Sequence, residues 1–204
     1  MREFAEAGWD GANTWMPAEA DVSMRPGWYW TAETNDKVKS IDQLMDIYYH
    51  SVGYNTNLIL NIAVDRRGFI GETDEAALRG MAKVLGERFA TDLARGAVIT
   101  GSDTRRRVGV RGASLTVVSD DGPKTFDQVF LQAPIELGPR VCPWNLEGRF
   151  VLNWKRLATG RTIGRKRIAR FDRVSNFDAL RLNIVDGGAG PTIETLSIFN
   201  SAIA

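Results

Sequence analysis

Leu58-Ile59-Leu60-Asn61-Ile62-Ala63-Val64 is a short, nearly continuous apolar run, and what flanks it decides the fold class. A run of this kind reads as a strand covered on both faces, as in a parallel sheet packed between helices. Before it, Ser40-Ile41-Asp42-Gln43 has the form of a capping box, and Leu44, Ile47, Tyr48 and Val52 keep helical spacing. A helix is expected from Ile41 to Ser51, broken at Gly53. After it, Asp65-Arg66-Arg67-Gly68 turns the chain, and Thr73 or Asp74 can cap a second helix running to Leu93. The stripe Leu78, Met81, Val84, Leu85 and Phe89 supplies that helix with one apolar face. Helix, buried strand, helix implies an α/β layer, as in a barrel or a doubly wound sheet.

Beyond Arg95-Gly96 the pattern changes to short runs rich in β-branched residues. Strands are expected at 97–100, 114–118, 126–132, 150–154, 167–171, 180–185 and 192–199, with turns at Asp120-Asp121-Gly122-Pro123 and Gly187-Gly188-Ala189-Gly190-Pro191. That spacing predicts an antiparallel β-sandwich over 96–204, following an α/β unit over 1–95. Residues 1–35, rich in Gly, Pro and Trp without helical period, read as loop with a short strand at most.

Charge divides at the same place. Residues 1–100 carry 10 Lys+Arg against 15 Asp+Glu, and residues 101–204 carry 16 against 10, while the whole chain of 204 residues has a net charge of +1. With 44% hydrophobic residues the chain can bury one large core or two small ones. No run reaches the roughly 18 apolar residues of a membrane-spanning helix. The N-terminal Met-Arg-Glu-Phe-Ala-Glu-Ala-Gly has no basic region followed by an apolar core, so a signal peptide is not expected within it. Location stays open, since secretion or a periplasmic site would need a signal upstream. The single cysteine, Cys142, excludes an internal disulfide and reads as a buried thiol.

The stretch with chemistry in it is Trp15-Met16-Pro17-Ala18-Glu19-Ala20-Asp21-Val22-Ser23-Met24-Arg25-Pro26-Gly27-Trp28. It sets Glu19 between two indole rings, Trp15 and Trp28. An apolar wall beside a carboxylic acid suits sugar cleavage, because it favours the protonated acid while an aromatic ring binds a pyranose face. Asp21 is expected to turn away from Glu19 and to pair with Arg25.

With those residues in place, the chain resembles the C-terminal part of a glycoside hydrolase family 29 α-L-fucosidase, of the branch favouring α-1,3/1,4-linked fucose. The resemblance rests on the Trp15–Trp28 motif, on Asp46-Ile47-Tyr48-Tyr49-His50-Ser51-Val52-Gly53, and on Asn57-Leu58-Ile59-Leu60-Asn61 with Asp65-Arg66-Arg67-Gly68. It continues through Leu137-Gly138-Pro139-Arg140-Val141 and Gly160-Arg161-Thr162-Ile163-Gly164-Arg165-Lys166-Arg167-Ile168. The fold it implies is the end of a (β/α)8 barrel followed by a β-sandwich, with Leu58–Val64 as the last barrel strand. The activity it implies is retaining hydrolysis of terminal α-linked L-fucose from glycans. Glu19 is then the general acid/base, Trp15 and Trp28 are substrate-binding, and no metal or other cofactor is needed. Asp10 lies only nine residues before Glu19, too close for the family's nucleophile, which the resemblance places on an earlier strand. The implied partner is a fucosylated oligosaccharide or glycoconjugate.

Other features read as structural. His50, the only histidine, closes a helix beside Tyr48 and Tyr49, with no second His or partner Cys for a metal. Arg105-Arg106-Arg107 and Arg161, Arg165, Lys166, Arg167, Arg170 and Arg173 read as the solvated sides of strands, which speaks against nucleic acid. A second reading is a non-catalytic carbohydrate-binding or scaffolding sandwich that uses Trp144 and Trp154 as surface platforms.

Overall fold

The computed structural model describes residues 17–100, 114–118, 124–135, 143–184 and 193–202. Trp15, Asp10, Cys142, Arg105-Arg106-Arg107, Leu137–Val141 and both expected glycine-rich or Asp-rich turns lie outside them. The described chain is mostly β with few helices.

Its first part is built on one parallel pair. Strand β1 (Glu19–Ser23) pairs with β2 (Asn57–Asn61) in register from Glu19↔Asn57 to Ser23↔Asn61. Between them a 3-10 helix (Ala32–Lys37) and helix α1 (Ile41–His50) make the crossover. The capping box forms as read: Gln43 N–H donates to Ser40 Oγ at 3.3 Å and Ser40 N–H to Gln43 Oε1 at 3.0 Å. Helix α2 (Glu72–Arg88) follows β2 and is shorter than expected. Neither Thr73 nor Asp74 caps it; Gly71 occupies the cap, and Asp74 is drawn into the interior by Arg25. Leu93 belongs instead to a turn whose backbone N–H bonds to Ile198 O at 2.8 Å.

The strand expectation for Leu58–Val64 also needs correction. Only Asn57–Asn61 pairs, and Ile59 and Val64 are 47% and 58% exposed, so one face of the pair is uncovered among the described residues. The other face rests on Met24, Leu44, Met45, Tyr49 and Met81, a cluster that Ile168 of the sandwich joins.

The second part is a sandwich of strands β3 (Val98–Thr100), β4 (Ser114–Val118), β5 (Lys124–Gln132), β6 (Trp144–Phe150), β7 (Asn153–Gly160), β8 (Arg167–Ile184) and β9 (Thr195–Phe199). All pairings are antiparallel. The C-terminal half of β8 lies between β4 and β6, while its N-terminal half pairs with β5, which in turn pairs with β9. One strand therefore serves both layers, with Asn176 at φ 62° where it bends. Two runs expected as separate strands, 167–171 and 180–185, are this one element. The expected strand 150–154 is the β6–β7 hairpin turn, in which Val151 takes φ 58°. Alternate residues of β6 and β8 (Leu146, Leu180, Leu182 and Ile184) fill the core with Val129 and Leu131 of β5.

Several contacts lock the two parts. Ile168 N–H donates to Gly53 O at 2.9 Å, Tyr49 Oη–H donates to Gln128 Oε1 at 3.0 Å, and the Arg167 guanidinium lies 3.7 Å from the Tyr54 ring centroid. Arg167 is thus buried rather than on a solvated strand face.

Candidate functional site

The carboxyl ends of β1 and β2 carry a tightly built turn. Ser23 Oγ–H donates to Gly27 O at 2.5 Å and accepts from Asn61 Nδ2 at 3.2 Å; Asn61 Nδ2 also donates to the Trp28 carbonyl at 3.0 Å. Gly27, at φ 104°, takes a conformation closed to other residues, which is why Pro-Gly stands here. Under the turn lies Arg25, its side chain fully buried with that of Asp74. Arg25 Nε donates to both Asp74 oxygens at 3.0 and 3.1 Å, one terminal nitrogen donates to Thr34 Oγ1 at 2.8 Å, and the other reaches Asp74 Oδ2 and Asn35 Oδ1. The expected Asp21–Arg25 pair does not form. Asp21 is exposed on the same side of β1 as Glu19, as a two-residue period requires.

That buried pair holds the loops above it. Trp28 and Tyr29 are 50% and 85% exposed, Phe69 is 69% exposed, and Trp30 borders a cavity of about 350 Å³. On the cavity wall Arg67 donates to Asp65 Oδ2 at 2.6 Å and to Glu72 Oε1 at 2.9 Å. Those hydrogen bonds from Arg67 are the main cause holding both carboxyls below their usual range and pushing the guanidinium still higher.

Glu19 is elsewhere. It opens β1, exposed, opposite Asn57, and four residue steps of about 3.3 Å put roughly 13 Å between it and Ser23. Trp28 lies past the far end of that strand, where its carbonyl accepts from Asn61 Nδ2 at 3.0 Å. His50 sits where expected, at the end of α1, with Nδ1 2.9 Å from Asp46 O and 3.0 Å from Asp46 Oδ1. Trp144 is 2% exposed, its indole N–H donating to Thr162 O at 3.1 Å, and is no surface platform. Trp154 has the Arg181 guanidinium 4.0 Å from its ring centroid.

The sequence profile of α-L-fucosidases matches residues 3–88, which contain β1, both helices and β2. α-L-Fucosidase 1 of Arabidopsis thaliana is 29% identical over 219 residues, covering 96% of this chain and 43% of its own. A glycoside hydrolase 29 family member from an unknown rumen bacterium superposes with a TM-score of 0.83 at 32% identity, over 95% of this chain and 34% of its own. These matches relate the chain to the α-L-fucosidase family. It matches that family's C-terminal region, β-sandwich included, and spans less than half the length of these relatives. A Ruminococcus gnavus GH29 fucosidase in complex with fucose shares the fold, with a TM-score of 0.85 at 23% identity over 96% of this chain and 43% of its own.

Sequence reading missed Trp30 and the Asp65–Arg67–Glu72 triad as parts of a site. The triad's spacing signals only a turn, and nothing in the sequence marks the cavity between two loops.

Proposed function

We propose that this chain is the C-terminal part of a retaining exo-α-L-fucosidase that releases terminal α-linked L-fucose from fucosylated glycans, in the α-1,3/1,4-preferring branch. In that reading residues 1–95 are the end of a (β/α)8 barrel and residues 96–204 the supporting sandwich. The nucleophilic Asp belongs to a strand outside this sequence; it attacks the anomeric carbon while an acid/base protonates the glycosidic oxygen and then deprotonates water. The observation that carries the reading is the family match over the parallel pair, together with Trp28, Tyr29 and Phe69 exposed at its carboxyl end. Parallel strands with helical crossovers bind ligands at that end.

The same rule weighs on Glu19. The resemblance makes it the general acid/base, with Trp15 and Trp28 on the substrate, yet it stands at the amino end of β1. We keep Glu19 as that acid/base, with Trp15 and Trp28 on the substrate; a sugar held only at the carboxyl-end surface, with Glu19 a solvated strand end, is the alternative. Glu19→Gln decides between the two in a polypeptide extended by its in-frame upstream sequence and assayed with an aryl α-L-fucoside. A loss of roughly 10²-fold or more in kcat gives Glu19 the acid/base role. An upstream frame with no barrel strand ending in Asp would sink the enzymatic reading itself. The non-catalytic reading is less well supported, because Trp144 is buried and Arg181 covers the ring of Trp154.

A further inference from the structure

We propose that the gap between the end of α1 and the sandwich binds a small oxyanion, sulfate or phosphate, free or as the end group of an ester. The site is independent of the hydrolase reading. His50 and Tyr54 lead into the amino end of β2, whereas Trp28 follows the carboxyl end of β1. The gap has a topological cause. β7 pairs with β6 alone among the described strands, while the N-terminal half of β8 leaves β6 for β5. Residues 157–159 and 167–170 therefore border a cavity of about 260 Å³ instead of pairing, and Tyr49, His50 and Tyr54 close its third side. That volume falls below the range of about 300–1,000 Å³ typical of drug-sized ligands, which suits a small ion or a short ester.

Two guanidiniums and one imidazole line the cavity, and no carboxylate does among the described residues. Both guanidiniums are positioned by rings. Arg167, buried, lies 3.7 Å from the centroid of Tyr54, and Arg170 lies 4.2 Å from that of Tyr49, whose hydroxyl is itself fixed on Gln128. The cationic wall is thus set before a ligand arrives. A guanidinium packed on a ring keeps its fork of N–H donors, which matches two oxygens of a sulfate or phosphate. Arg170, exposed and in no ion pair among the described residues, is the donor that turns to the ligand, with Arg167 as the fixed wall behind it. Asp46 meets only the Nδ1 side of His50, at 3.0 Å, and does not line the cavity. The rings of His50 and Tyr54 stack with centroids 6.1 Å apart, a flat surface for the organic part of an ester.

The 204-residue chain is titrated with sodium sulfate and with sodium phosphate at fixed pH and ionic strength, chloride making up the balance, and followed by amide NMR. Saturable shifts are expected at Thr159, Ala169 and Arg170, with affinity weakened roughly fivefold or more by Arg170→Gln, the loss of one charge-assisted contact. Thr159→Glu adds a carboxylate to the wall and leaves Arg170 in place, so it should weaken binding as much even if Arg170→Gln disturbs Tyr49. Arg66→Ala, at an exposed arginine of a different cavity, should leave the affinity unchanged. Phenyl phosphate separates the two sources of the anion. Tighter binding than inorganic phosphate assigns the site to an ester whose ring lies on His50 and Tyr54, and weaker binding assigns it to the free ion. No saturable shifts, an equal response to chloride, or an affinity unchanged by Thr159→Glu or by a folded Arg170→Gln protein would each overturn the proposal.

Discussion

Asp74→Ala should be among the most damaging single substitutions in the first 100 residues, and its cost follows from the hydrogen bonds of Arg25. Both side chains are fully buried, so solvent screens nothing. Asp74 accepts from Arg25 Nε with both oxygens and from one terminal nitrogen. Removing it leaves the guanidinium with Thr34 at 2.8 Å, Asn35 at 3.0 Å, Thr73 at 3.4 Å and the Thr31 carbonyl at 3.5 Å, all neutral. Breaking a buried pair from one side costs about 3–5 kcal/mol, because the surviving charge stays desolvated. At about 2–4 °C per kcal/mol for a chain of this size, Tm should fall by roughly 6–20 °C. The double variant Arg25→Met/Asp74→Leu removes both charges and should regain most of that loss, since apolar replacement of a whole buried pair is often neutral. Thermal unfolding of wild type, Arg25→Met, Asp74→Leu and the double completes the cycle. A loss under about 1 kcal/mol for Asp74→Ala, or a double variant as damaged as the sum of the singles, would refute the reasoning.

Three further outcomes are expected. Gly160→Ala would place a Cβ 2.5 Å from two carbons of the buried Trp144 indole and should lower stability by about 1–3 kcal/mol; an unchanged melting curve would contradict that packing. By hydrogen exchange, the amides of Val129 and Leu131, in a strand paired on both sides, should outlast those of β2, which pairs only with β1 among the described residues; slow exchange throughout β2 would count against an open edge. In a carbon-detected NMR titration the Asp65 and Glu72 carboxyls should protonate below the usual value of about 4. Their folded pKa values are depressed, so their contribution to stability is present above the unfolded carboxylate pKa and is lost as pH falls through the folded values. Midpoints at or above the ordinary range would show that Arg67 does not hold them in solution.

What could be read from the sequence was what neighbours in the chain decide. Ser40 and Gln43 meet within one turn, so α1 begins where it was expected. The β6–β7 hairpin escaped because its turn residues are apolar: Val151 adopts a left-handed conformation that its side chain disfavours, and Leu152 is 87% exposed. Asp74 looked like a helix cap, and only a partner 49 residues away explains its burial. The division of β8 between two layers is likewise a property of its partners rather than of residues 167–184 themselves.

Glu19 and Trp28 lie toward opposite ends of β1 for a more general reason. Trp28 is nine positions further on, which suggests one site when the segment is read as a loop. Glu19 and the four residues after it form a strand, and a strand turns closeness along the chain into distance in space. Direction then sorts the motif. Its amino end carries Glu19, and beyond its carboxyl end the buried Arg25 meets Asp74, which lies past the loop after β2. The residues that line one cavity with Trp30 are therefore Asp65, Arg67 and Glu72, some forty residues further on, and no reading of the motif as a continuous loop would have joined them to it.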